Sequence, residues 1–359
     1  MSLLFIEKHE AARAAAEQIC RNFGQSRPMT DLIGAQTQAI PFDGLVQTIV
    51  LLDVAVELDD EAFFRWCGVW TYALFAGRMP RAMQAGAKGY VIQFCILLKT
   101  QLFWLETEEK RRRGERMLDA AIDQVQRAEL EGVFTNYLAS GTGAEIGSAY
   151  LQRLLRRDMT GAAKLIQSAL EKYTLDEVYT DIIQNVMYEI GELWLANRMT
   201  VAQEHYCTAA TQTILSTLYM RCLETPKNGH KAVVACIGSE LHELGPRMVS
   251  DLMEYHGWDC IFLGAGVPLD TLMDTLEKED PCMCCLSVAL QQGVRECAED
   301  VRAVRNRFPR ILTAVGGHAF AALHNARDYI GADIFASDVK DLLEKSGRLL
   351  AGGAKDATV

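Results

Sequence analysis

At Pro226-Lys227-Asn228-Gly229 the hydrophobic pattern changes its period, and that change constrains the fold more than any other feature of the chain. Beyond it, short apolar runs over 231–238, 258–267, 281–290, 310–317 and 332–337 alternate with helical stretches over 245–256, 269–278, 294–307, 319–326 and 339–350. Runs this short and this apolar read as strands buried on both faces, and strands separated by helix-length segments pair in parallel. The expectation for residues 229–359 is an α/β domain with a doubly wound, five-stranded parallel sheet. Ligands of such sheets sit beyond the carboxyl ends of the strands, where the topology switches.

Before the break the chain reads as helix throughout. Apolar residues recur at three- and four-residue steps over 44–58, 62–77, 85–106 and 109–127, which predicts an all-helical domain over 1–142. The small, Gly-rich segment 138–147 reads as a linker. Helical periodicity then returns over 149–157, 161–173, 175–196 and 201–223, a four-helix bundle within 146–225, and Pro226–Gly229 forms the second linker. The first helical domain is rich in aromatics: Phe63, Phe64, Trp66, Trp70, Tyr72 and Phe75 lie within thirteen residues, and Phe103 and Trp104 close the third predicted helix. Large rings at helical spacing build a core, and they also suit a pocket for a flat conjugated ligand.

Composition narrows the function classes. Half of the 359 residues are apolar and 23% are charged, so most of the chain folds; Lys+Arg 36 against Asp+Glu 47 gives a net charge of −11 that both halves share. Direct nucleic-acid binding, which needs a basic patch, is not expected. Eleven cysteines, an odd number without regular spacing, suit reduced thiols in a cytoplasm. The start MSLLFIEKHE meets charge at Glu7 and Lys8 before an export-type run forms, and the longest apolar stretches are broken by Gln47, Asp53, Gln93, Lys99 and Gln101. Neither a signal peptide nor a membrane span is expected.

Three strand ends carry marked residues. Gly238-Ser239-Glu240-Leu241-His242-Glu243-Leu244-Gly245 follows the first strand, Ser287-Val288-Ala289 closes the third, and Gly316-Gly317-His318 follows the fourth. A histidine in a loop leaving a strand's carboxyl end can reach a ligand, and Glu240 can hydrogen-bond its second ring nitrogen. In chemistry and spacing these residues resemble the cobalamin-binding domain family, with its Asp-x-His-x-x-Gly, Ser-x-Leu/Thr and Gly-Gly marks. The resemblance covers about 231–350 and departs at Glu240, where the family has Asp, and at Ala289, where it has Leu or Thr. It implies a flavodoxin-like fold and cobalamin as cofactor. His242 is then the lower axial ligand of cobalt, Glu240 its orienter, Gly245 the last position of the loop motif and Ser287 a contact to the nucleotide tail. Gly316 and Gly317 leave the gap the tail passes, where a side chain would fill the slot, and His318 is either a further tail contact or a turn residue.

The bundle carries a second mark, Trp194 followed by nine residues and Glu204-His205. With a cobalamin domain next in the chain, it resembles the Trp-x9-Glu-His motif of the CarH-type adenosylcobalamin photoreceptors. That resemblance implies that Trp194 and Glu204 bind the adenosyl group and that His205 is the upper cobalt ligand after light. The MerR-type DNA-binding domain of that family is replaced here by the aromatic-rich helical domain. This domain is faintly similar to globin-like sensor domains, and the arrangement resembles the photocobilins, which pair cobalamin with a bilin. The resemblance implies biliverdin as a second chromophore, at the Phe63–Phe75 cluster or beside the cobalamin domain, and a homo-oligomer or a protein signalling partner as output, not an enzyme. No histidine lies between His9 and His205, so a haem held by a mid-domain histidine is disfavoured.

The competing reading is a corrinoid methyl carrier, which shares the bundle, the sheet and the loop histidine but leaves the upper cobalt face open; an isomerase subunit would need a barrel-sized domain that 359 residues do not leave room for. Without the joint spacing, His242 reads as a loop histidine, Gly316-Gly317 as a plain turn, Trp194 as core and Glu204-His205 as a surface pair. Cys282, Cys284 and Cys285 read as core, since adjacent strand residues face opposite ways. His256 and His324 read as surface positions, and Lys110–Arg113 with Arg116 as a solvated helix face among Glu106, Glu108, Glu109 and Glu115.

Overall fold

The computed structural model describes residues 10, 12–19, 42–78, 84–129 and 133–353; His9 and the outer ends of the ranges 1–142 and 229–359 lie outside them. The chain divides into two compact units, one of residues up to 134 together with 322–329, the other of 135–321 and 330 onward.

The first unit contains a helix over 12–19 and four longer ones, α1 (Phe42–Leu58), α2 (Glu61–Arg78), α3 (Gln84–Lys99) and α4 (Glu108–Arg127). The turn between α1 and α2 is made by Asp59 at a left-handed φ of 51° and by buried Asp60, whose carboxylate accepts the Phe63 amide at 2.9 Å and so caps α2. Residues 322–329 join this unit at the same turn: the His324 amide donates to Asp60 Oδ2 at 2.7 Å, and Asn325 Nδ2 to the Leu58 and Asp59 carbonyls. Here the backbone of His324 is fixed while its ring stays exposed. Phe63, Phe64 and Tyr72 belong to the core, whereas Trp66 is exposed and stacks between Phe63 and Trp70 at 6.2 and 6.0 Å.

Two expectations for this unit are corrected. The third helix ends at Lys99, not near 106, because the amides of Thr100 and Gln101 bond three residues back and Thr100 Oγ1 donates to the Leu97 carbonyl; Phe103 and Trp104 therefore lie in the connection. The basic run is not simply solvated: Lys110 pairs with Glu57 at 2.8 Å, and Arg113 donates to the Val56 carbonyl and pairs with Asp59 at 3.2 Å. Those residues fasten α4 to the end of α1.

The second unit opens with four helices, α5 (Ala144–Leu155), α6 (Met159–Ala169), α7 over 175–195 with a π-helical turn at Val178–Ile183, and α8 (Val201–Cys222). Tyr150, Ile166, Tyr179, Ile182, Val186 and Leu215 are among its buried core residues, and the Tyr150 and Thr211 hydroxyls bond at 3.0 Å inside it. The segment 138–147, expected as a linker, already contains the start of α5. Two of its three glycines are there for close packing: a Cβ on Gly143, at φ 74°, would lie 2.4 Å from Ile182, and one on Gly147 would lie 2.9 Å from Leu138. Thr174 and Thr200 each close a capping box, with Glu177 and Gln203, at the starts of α7 and α8.

The sheet follows, with strands β1 (Lys231–Cys236), β2 (Asp259–Gly264), β3 (Met283–Ser287), β4 (Leu312–Gly316) and β5 (Ile334–Phe335), all parallel in the order β2-β1-β3-β4-β5. This order places the switch point between β1 and β3. The intervening helices are α9 (Leu244–Tyr255), α10 (Leu269–Glu279), α11 (Val294–Arg307), the short α12 (Ala326–Ile330) and α13 (Val339–Gly353). Where one helix was expected over 319–326 there is a 3-10 turn at His318–Ala321 and then α12. Bundle and sheet meet where α8 packs on α9.

Candidate functional site

The site is built on strand register. Cys236 of β1 aligns with Ser287 of β3, and Ser287 with Gly316 of β4, so the three marked strand ends lie in one row at the carboxyl edge of the sheet. The loop leaving β1 carries His242. Its Nδ1 lies 2.5 Å from Glu240 Oε1, its amide donates to the same oxygen at 2.9 Å, and its side chain is 61% exposed, which leaves Nε2 for a ligand.

Glu240 is only 3% exposed, and its second oxygen crosses the switch point to accept the amides of Ala289 and Leu290 at 2.8 and 3.1 Å. One carboxylate thus fastens the β1 loop to the β3 loop. Burial pushes its pKa up, but the bonds from the His242 ring and amide, the imidazole charge and the Ala289 amide outweigh burial and hold it at about 2. In turn the hydrogen bond to Glu240 raises the His242 pKa against the opposing effect of burial, with the charges of Glu240 and Glu204 adding to the rise. Nothing in the sequence marks the Ala289 and Leu290 amides as partners, because the fold alone brings them there.

The glycines act in different ways. Open space surrounds Gly245, and a Cβ on Gly316 would lie 3.1 Å from the Ala336 carbonyl. Gly317, at φ 120°, would place a Cβ 2.2 Å from the Val288 carbonyl. The immediate reason for glycine at 317 is therefore the approach of the chain's own backbone. His318 begins the 3-10 turn and packs its ring on Tyr188 of α7, 4.7 Å between centroids.

The cap residues lie at the facing ends of α7 and α8. Trp194, 38% exposed, is in the last turn of α7 and, among the described residues, makes no ring contact with another aromatic. Glu204 and His205 are in the first turns of α8. Glu204 accepts from Thr208 at 2.9 Å and lies 2.5 Å from His205 Nδ1, and the His205 side chain is 74% exposed. The structure brings Glu204 within electrostatic reach of His242, and it builds His205 and His242 alike, each with Nδ1 on a carboxylate.

The sequence reading missed a polar stripe along α8. Glu204, Thr208, Gln212, Ser216 and Tyr219 follow one another at helical spacing. Gln212 donates to Glu243 at 3.2 Å, Arg247 to Ser216 at 3.0 Å and Tyr219 to Glu254 at 2.5 Å. The four-residue step is visible in the sequence, but its partners are not. Buried Asp251 accepts from the Tyr179 hydroxyl at 3.2 Å, and His256, expected as an ordinary surface residue, bonds Asp176 at 2.9 Å. Cys284 and Cys285 alternate as strand residues do, Cys284 within the influence of Cys297 and Asp300, Cys285 within that of Cys260 and Cys282.

An imidazole with a free nitrogen and a buried carboxylate behind it suits a transition metal. Residues 148–219 and 230–344 each match a family model described as a B12 binding domain. The chain is a cobalamin-binding protein, with a helical B12 binding domain followed by an α/β one. Among its relatives, the HTH-type transcriptional repressor CarH of Myxococcus xanthus is 25% identical over 257 residues, 69% of this chain and 82% of that protein. Dimethylamine corrinoid protein 1 of Methanosarcina mazei is 25% identical over 215 residues, 56% of this chain and 96% of the other. The solved monomethylamine corrinoid protein of Methanosarcina barkeri covers 58% of this chain and 99% of its own, at 16% identity and a TM-score of 0.50, a likeness of fold. Among the described residues no helix is long and apolar enough to cross a membrane.

Proposed function

We propose that this protein is a light sensor with adenosylcobalamin as its chromophore. The observation that carries the reading is the pair of similarly built imidazoles, His242 on the sheet edge and His205 on the cap helix, with Glu204 close enough to act on both. When bound, adenosylcobalamin supplies an organocobalt bond that absorbs visible light and breaks. His242, oriented by Glu240, would be the protein's ligand to the cobalt, while Ser287, Gly316, Gly317 and His318 would border the nucleotide tail. Trp194 and Glu204 would hold the adenosyl group in the dark, and His205 would be the imidazole available to the cobalt after light. Contacts at Trp194 and His205 that differ between dark and light would be the differential contacts that a two-state change between bundle and sheet requires. The aromatic helical unit, of a globin-like kind, supplies a site for biliverdin, and the output is a change of homo-oligomer or protein partner in the cytoplasm, not catalysis and not direct DNA binding.

A corrinoid methyl carrier is the second reading, favoured by the two domains shared with the corrinoid relatives. It leaves Trp194, Glu204 and His205 without a task, since a carrier keeps the upper face open to partner enzymes. Purified chain loaded with adenosylcobalamin is expected to change its visible spectrum irreversibly under green light; a spectrum indifferent to light favours the carrier. His205→Ala is expected to leave dark binding within about threefold and to alter the lit spectrum, and an unaltered lit spectrum removes the role of His205.

A further inference from the structure

We infer that Tyr188 is a positioning residue that couples the cobalamin-binding edge to two of the three places where the chain passes between its units. The inference rests on the placement of cobalamin proposed above. The chain changes unit after residues 134, 321 and 329, and the first two of these crossings concern Tyr188. Tyr137 lies just past the first crossing and His318 just before the second. Tyr188, on α7, packs against both, with ring centroids 5.1 Å from Tyr137 and 4.7 Å from His318. Three rings far apart in sequence thus form one cluster of tilted ring contacts beside the first two crossings.

Two members of the cluster are held by hydrogen bonds. The Tyr137 amide donates to Glu189 Oε2 at 3.0 Å, so backbone as well as ring ties the incoming segment to α7. Gln184 Nε2 donates to the Tyr188 hydroxyl at 3.0 Å, which holds that ring against its own helix. His318 directly follows the paired glycines at the end of β4. Six residues beyond Tyr188, roughly 9 Å along the helix axis, α7 ends in the turn that carries Trp194. The helix bearing the cap residue and the loop bordering the tail therefore meet at one ring. Packed aromatic contacts shift between discrete arrangements rather than compress, so a displacement on either side moves Tyr137 and the segment attached to it.

Hydrogen exchange of the full chain, with and without adenosylcobalamin, tests this coupling at amides 135–138, away from the residues assigned to the cofactor. In the wild type, cobalamin is expected to slow exchange there at least threefold. Tyr188→Ala is expected to bind adenosylcobalamin within threefold of wild type yet lose that response. Tyr188→Phe, which keeps the ring, retains it. Tyr137→Ala, at the segment itself, provides a second variant should Tyr188→Ala not fold, with the response lost at 135–136. A wild-type segment that ignores cobalamin, or a Tyr188→Ala chain that responds like wild type, overturns the coupling. So does a more than tenfold loss of affinity in Tyr188→Ala, which would make the ring part of the binding site. His242→Ala read by the cobalamin spectrum comes first: an unchanged spectrum sinks the placement at this edge, and the coupling with it, before any exchange is measured.

Discussion

Glu240 shows how much one methylene decides. The related pattern has Asp at this position, one methylene shorter than Glu240. In the structure the extra length lets one carboxylate serve His242 with Oε1 and the Ala289 and Leu290 amides with Oε2. Glu240→Asp keeps the charge but not the reach, and replacing the partner of a metal-binding histidine typically costs ten- to a hundredfold in affinity. We expect cobalamin affinity to fall about tenfold, read by spectral titration; an Asp variant that binds like wild type would show that the bridge to β3 is idle. The depressed pKa of about 2, against the ordinary 4.5, means that ionised Glu240 stabilises the fold above the ordinary value and that this support fades as pH falls toward 2. His242, Ser287 and Gly316-Gly317 were legible because chemistry and spacing agree at three separated places. The amides that complete the site were not, since any residue other than proline supplies one.

Among the elements, α5 is where glycine was misread. Gly141, Gly143 and Gly147 look like a flexible connection, yet Gly143 and Gly147 let α5 lie against α7 without a side chain between them. Flexibility and close approach call for the same residue, so composition does not separate them. Gly143→Ala combines a left-handed φ of 74° with a Cβ 2.4 Å from Ile182, and we expect it to cost about 2 kcal/mol. Gly347→Ala, in α13 with open space around it, should instead stabilise by roughly 0.5–1 kcal/mol. Denaturant unfolding distinguishes the two, and equal effects would mean that packing at Gly143 is irrelevant. The helix and strand periods themselves were reliable wherever an element buries one stripe or two faces. They failed at 319–326, where a short apolar stretch is broken into a 3-10 turn and a separate helix.

Across the molecule, the contact of bundle with sheet inside the second unit is unusually polar. Asp251, 5% exposed, receives the Tyr179 hydroxyl there. Burial raises its pKa to about 6 in spite of Arg247 and Tyr179. A carboxyl raised on folding supports the fold fully below its unfolded value near 3.8, and that support is lost as pH climbs through about 6. The shift corresponds to about 3 kcal/mol. Asp251→Asn keeps an acceptor for Tyr179 without the charge, so the melting temperature of wild type relative to the variant should drop by several degrees between pH 4 and pH 7. A difference that stays constant with pH would show that Asp251 does not titrate in this range.

The amino-acid order alone determined the classes of structure, helix then bundle then doubly wound sheet, because burial repeats at the period of each element. It also determined the histidine, the serine and the paired glycines at the strand ends, because special chemistry at separated positions survives in one dimension. Tertiary structure decided which oxygen of Glu240 meets which amide, why glycine is required at 143 and 317, and that the Tyr137, Tyr188 and His318 rings pack together. These depend on distances between segments far apart along the chain, and such distances are set by packing, which no local period encodes.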